Sequence, residues 1–151
     1  MWTFTSICQQ NLGILLKETG AKLVITSSWR KHTLEETIED FRSKGFLYCD
    51  DIMGITIRAY HYIEKGVHLS IPRGVEIKQW LDTHVHSDNG KDFQRKGFGV
   101  EFTYVILDDD TDMLLEQAPY FVRVESGSGL TYNQVKRIIP MLNTGIYEES
   151  F

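Results

Sequence analysis

Asp108, Asp109 and Asp112 follow directly on the apolar run Tyr104-Val105-Ile106-Leu107. Carboxylates this close repel one another, and each raises the pKa of its neighbours unless a cation joins them. A hard, oxygen-seeking ion such as Mg²⁺ suits such a set. The plainer reading is a solvated acidic turn that caps the next helix, since Asp at a helix start is favoured by the dipole. An EF-hand is excluded: counted from Asp108, the sixth position is Met113 where that loop needs Gly. His84 and His86 lack the four-residue spacing of a helical metal pair, and His84 reads as a packed or capping residue.

Two other groups have chemistry to offer. Thr26-Ser27-Ser28 ends the apolar segment Ala21-Lys22-Leu23-Val24-Ile25, and Arg73-Gly74 opens a helical pattern after Pro72. A strand-end hydroxyl, a guanidinium and a metal-binding acid group together suit a phosphoryl site. Phosphoryl transfer needs its non-bridging oxygens neutralised more than it needs covalent help. The planar fork of Arg matches a phosphate.

The elements that must carry these groups alternate. Phe4, Cys8, Leu12, Leu15 and Leu16 recur at helical spacing up to Gly20. The strand ending at Thr26 follows. Thr33-Leu34-Glu35-Glu36 is a capping box for a helix carrying Leu34, Ile38 and Phe41, closed by Gly45. Ile52 to Ile57 reads as a strand, and Tyr60 to Leu69 as a loop or small insert. A helix from Arg73 carries Ile77, Trp80 and Leu81 on its stripe. The run ending at Leu107 is apolar without alternation, as in a strand buried on both faces of a parallel sheet, and open α/β sheets place ligands at the carboxyl ends of such strands. A short helix stopping at Pro119, a strand over Tyr120-Val124 and a helix capped by Thr131 and Gln134 complete the chain, with Pro140 expected to kink or end the last helix. This order predicts an α/β fold with a mostly parallel sheet and helices on both faces.

At 151 residues the chain is one domain with room for a core; 46–70 is a candidate small cap insert and 85–99, with Gly90, Gly97 and Gly99, a flexible loop. A net charge of −5 argues against a broad nucleic-acid face. Cys8 and Cys49, without a CxxC, read as reduced thiols in a cytoplasmic protein; no apolar run reaches membrane-spanning length, and no signal peptide is visible.

With these phrases in place, the sequence resembles the haloacid dehalogenase (HAD) superfamily of phosphohydrolases, most nearly the HAD domains of RNA-repair polyproteins. The resemblance rests on Val24-Ile25-Thr26-Ser27-Ser28-Trp29-Arg30, Arg73 to Leu81, Val105 to Met113 and Gly129-Leu130-Thr131, in that order, and spans Phe4 to about Leu142. It implies a three-layer Rossmann-like fold and a Mg²⁺-dependent phosphatase lineage. Thr26 stands for the second-motif hydroxyl that bonds the phosphoryl group, with Ser27 the fallback and Ser28 beside it. Arg73 stands for the third-motif cation, with Lys78 a weaker candidate. Asp108 and Asp112 stand for the fourth-motif acids that hold Mg²⁺, and Asp109 competes for the second place. Trp29 either packs in the core or stacks on substrate; Arg30 either binds substrate or pairs with an acid.

The sequence departs from the pattern in one respect. The superfamily's nucleophile is an aspartate in a DxDx motif at the end of the first strand, and no aspartate precedes Asp40 here. Without it no aspartyl-phosphate forms. The resemblance places that strand between those ending at Thr26 and Asp108, so the expected sheet lacks its first central strand, and an N-terminally incomplete domain is the favoured expectation. Three functions follow: a phosphatase scaffold inactive as it stands, acting in its lineage on a phosphorylated small molecule or nucleic-acid end; a non-catalytic phosphate- or ion-binding domain; and a structural protein whose acids only cap a helix. Oligomeric state is open.

Overall fold

The computed structural model describes residues 4–57, 60–64, 67–86 and 102–145. The chain divides into two compact units, one of Met1–Ile55, Thr103–Thr111 and Pro119–Phe151, the other of Thr56–Phe102 and Asp112–Ala118.

The first unit begins with helix α1 (Ser6–Thr19). Its N-cap is Thr5, and it ends where expected, at Gly20 in the left-handed region (φ 67°), whose N–H returns to Leu16 O at 2.8 Å. Strand β1 (Leu23–Ile25) follows, then α2 (Leu34–Ser43), whose cap Thr33 accepts the Glu36 N–H at 3.1 Å. A 3₁₀ turn (Cys49–Asp51) leads into β2 (Ile52–Ile55). β1 and β2 pair in parallel, Leu23 opposite Ile52 and Ile25 opposite Ile55, with a register shift after Leu23. Phe41, Phe46, Cys49 and Ile52 are buried beside this pair, with Leu12, Leu23, Ile25 and Trp29 packed against them.

In the second unit, Tyr60–Glu64 (β3) and Val67–Ser70 (β4) form an antiparallel hairpin where the sequence reads as a loop or small insert. Helix α3 (Arg73–Leu81) runs into a π-turn (Asp82–His86), and His84 stacks on Trp80 with ring centroids 4.4 Å apart, the packed role expected of it. The expected loop at 85–99 lies, beyond its first two residues, outside the described residues.

Returning to the first unit, β5 (Ile106–Asp108) pairs in parallel with β6 (Phe121–Arg123), Leu107 opposite Val122 and Asp108 opposite Arg123. A 3₁₀ helix (Leu115–Tyr120) connects them in sequence and contains Pro119 instead of stopping before it, because a 3₁₀ turn this short asks little of the proline nitrogen. Helix α4 (Tyr132–Thr144) has the complete capping box foreseen at Thr131 and Gln134. It also continues through Pro140 to Gly145. Val135, Ile138 and Met141 are buried with Val122 and Leu15, and that packing offsets the hydrogen bond the proline removes.

Leu12 of α1 packs against both apolar clusters, so one helix covers parts of both strand pairs. Among the described residues the parallel strands form two separate pairs, β1 with β2 and β5 with β6, and β1 does not pair with β5. This agrees with the expectation that the strands ending at Thr26 and Asp108 are not neighbours. No helix among the described residues is long and apolar enough to cross a membrane.

Candidate functional site

Thr26 to Arg30 turn the chain immediately after β1. The Arg30 N–H bonds Ser27 O at 3.0 Å, closing a four-residue turn, and the Ser27 hydroxyl accepts the Trp29 N–H at 3.2 Å. Thr26 and Ser27 are half-buried and Ser28 is exposed. Trp29 takes the core role: its ring meets Phe4 edge-on at 5.3 Å and Phe41 at 6.2 Å, with the Lys44 ammonium 4.7 Å from its centroid. Arg30 is only 5% exposed. Its Nη1 donates to Thr26 O and, at 2.9 Å, to Ser27 O, so its guanidinium is directed at the backbone of its own loop.

Asp108 ends β5 and is 6% exposed, whereas Asp109 and Asp110 are exposed. Asp108 Oδ1 accepts the Asp110 N–H at 2.9 Å, a local turn that fixes one oxygen of the buried carboxylate. Asp109 O accepts from Arg123 Nε at 3.3 Å, and Asp108 O accepts the Val124 N–H at 2.9 Å, which ties the acidic turn to β6.

Within the second unit, Asp112 sits at the start of α3. Its Oδ2 accepts the Arg73 N–H at 3.2 Å and its backbone O accepts the Gly74 N–H at 2.9 Å. The helix-capping role foreseen as the plainer reading is therefore real for Asp112, although the helix it caps is α3 and not the one that follows it. Gly74 is buried against the same segment: a Cβ there would stand 2.6 Å from Leu114 N and 2.9 Å from Met113 Cα. Gln117 reinforces the contact by donating to Gly74 O at 2.8 Å and accepting the Leu114 N–H at 2.9 Å. Nothing in the sequence marks this buried glutamine; only its packing does. Lys78 lies between Asp82 (3.4 Å) and Glu116 (3.5 Å), and those charges, Asp82 first, push its pKa up.

The structure thus brings Thr26, Ser27, Ser28 and Arg30 into one turn, Asp108 and Asp109 into another, and Arg73 together with Asp112 at a helix start. Among the described residues no three His, Cys, Asp or Glu side chains are grouped to hold a metal. Mg²⁺ keeps several waters and is bound through one or two carboxylates, so the all-oxygen donors at the end of β5 still suit it. The site features missed by sequence reasoning are the reach of Arg30 to the Thr26 and Ser27 carbonyls and the clamp of Gln117. The first could not be foreseen because the carbonyls that Arg30 Nη1 reaches are main-chain atoms.

No curated protein and no solved structure matches the chain. Residues 1–135 match the family described as the HAD domain in Swiss Army Knife RNA repair proteins. The strands, turns and acids described above therefore belong to a HAD domain of that family.

Proposed function

We propose that this chain is a phosphate-binding HAD domain of the Mg²⁺-dependent phosphatase lineage that does not turn over phosphomonoesters as the sequence stands. The observation that carries the reading is Asp108, a carboxylate almost wholly withdrawn from water at the end of a parallel strand. Open α/β sheets place their ligands at the carboxyl ends of such strands, and oxygen donors there suit a hard ion. In this reading Thr26, with Ser27 as the alternative hydroxyl, bonds a phosphoryl oxygen. Ser28 and Arg30 belong to the same turn and shape it. Asp108, with Asp109 beside it, holds Mg²⁺, which when bound would neutralise phosphoryl charge. The ligand is a phosphoryl group on a small molecule or at a nucleic-acid end, the latter in keeping with the RNA repair proteins that name the family.

Turnover by the lineage's covalent route needs an aspartate that precedes Thr26, and this sequence has none before Asp40. That observation favours a second reading, an interaction domain that keeps the pocket for binding alone. Calorimetric titration of inorganic phosphate with and without Mg²⁺, beside a p-nitrophenyl phosphate assay, tests both. Binding that requires Mg²⁺, weakened about tenfold or more by Thr26→Val and by Asp108→Asn, is the expected result. Asp109→Asn, compared with Asp108→Asn, tests whether Asp109 is the second acid. Unchanged phosphate affinity in both the Thr26 and Asp108 variants would overturn the reading. Mg²⁺-dependent turnover by the chain itself would overturn the claim of inactivity.

A further inference from the structure

Arg30 is a buried cation, and a guanidinium taken out of water is tolerated only where acceptors surround it. Its Nη1 gathers the carbonyl oxygens of Thr26 and Ser27. In a planar trans peptide the C=O and the following N–H point in opposite directions. Drawing the Thr26 carbonyl toward Arg30 therefore turns the Ser27 N–H to the opposite side, away from the buried guanidinium. The same pull removes two carbonyl oxygens from the approach of any anion. A loop that would otherwise present mixed dipoles is left with its donor side outward, and a fixed positive charge lies behind it. The Ser27 hydroxyl, held by the Trp29 N–H, keeps the turn from relaxing.

We propose that Arg30 is a positioning residue: by holding the Thr26 and Ser27 carbonyls it aims the Ser27 N–H at the phosphoryl oxygen bound by the Thr26 hydroxyl. This rests on the phosphate-binding reading above and assigns to Arg30 an effect on the ligand that is transmitted through backbone.

The test is a titration of the full ¹⁵N-labelled chain with inorganic phosphate in the presence of Mg²⁺, followed by amide NMR well below the melting temperature. In the native chain the Ser27 amide moves downfield as phosphate saturates. Arg30→Met keeps the apolar stem and removes every donor. Its affinity falls about tenfold, the loss of roughly one charge-assisted contact, and the Ser27 shift is lost. Arg42→Met, the same chemical change at an exposed ion pair with Glu39, leaves both unchanged. Arg30→Lys retains a cation within reach of the carbonyls and restores part of the affinity. A purely structural Arg30 lowers the melting temperature of Arg30→Met but leaves the affinity of the folded protein within about twofold, and that result overturns the inference alone. If Arg30→Met does not fold, the native titration still decides, since a Ser27 amide unmoved by bound phosphate overturns it. A native chain that binds no phosphate overturns this inference and the reading beneath it together.

Discussion

At the end of β1, Trp29 and Arg30 are adjacent in sequence, yet one joins an aromatic core and the other turns back on the carbonyls of its own loop. Gly74 is as constrained as either. Its N–H and C=O are held by Asp112 O and Gln117 Nε2, and no space remains for a side chain. Gly74→Ala should therefore lose about 1–3 kcal/mol, the usual range for forcing a methyl group into packed backbone, despite the gain in helix propensity that Ala normally brings. Urea denaturation checks this, and a neutral or stabilising result would show that the Met113–Leu114 backbone yields freely. At this scale the sequence was legible for residue type and hardly at all for direction. Thr26, Arg73 and Asp108 stood out because a hydroxyl, a guanidinium and an acid fell at element ends. The acceptors of Arg30 and the clamp of Gln117 did not, since both use main-chain atoms that no side-chain pattern announces.

Caps were the most legible feature of the elements, because a cap is a contact between residues three apart in sequence. Thr131 and Gln134 form the complete box, and Gln134 Nε2 additionally bonds Arg123 O at 2.8 Å, tying α4 to β6. The hairpin over Tyr60–Ser70 was less legible, since between its two short segments the sequence offers Lys65-Gly66, a weaker turn signal than Asn-Gly or Asp-Gly. Helix α2 is fixed at its far end by a pair the sequence does not stress. Lys44 Nζ lies 2.7 Å from Asp40 Oδ2 and also over the Trp29 ring. The Lys44 hydrogen bond, ahead of the nearby charges of Lys31 and Lys44, holds the Asp40 carboxyl below its ordinary pKa. A depressed folded-state pKa gives stability that is complete above the unfolded value, about 4, and is lost as pH falls through the lower folded value. The difference in melting temperature between the native chain and Lys44→Met should thus be largest near neutrality and shrink below about pH 4, to whatever the Trp29 contact supplies. Thermal melts from pH 7 to pH 2 measure it, and a constant difference would assign the whole effect to the aromatic contact.

The sequence predicted parallel strands with a missing neighbour, and among the described residues the first unit contains two parallel pairs that do not join. The division into two compact units was not legible, because it depends on which distant segments pack together and not on any linker composition. Thr26 and Asp108 follow from β1 and β5, while the resemblance puts the nucleophile on a strand between these two. In the proposed reading phosphate is bound at the ends of β1 and β5, and among the described residues these two strands do not pair with each other. The pairing makes a direct prediction. Successive residues of a strand direct their N–H groups to opposite edges, so a strand with one partner protects alternate amides. Within Leu23–Ile25, Val24 belongs to one edge and its two neighbours to the other, and Leu107 is likewise opposed to Ile106. Hydrogen exchange on the chain should alternate along both strands, with the partnered amides slower by roughly a hundredfold, since the others need no strand separation to reach water. Uniform slow exchange through β1 and β5 would mean that a further strand already covers their second edges, and the pairing of these strands in twos would then have to be abandoned.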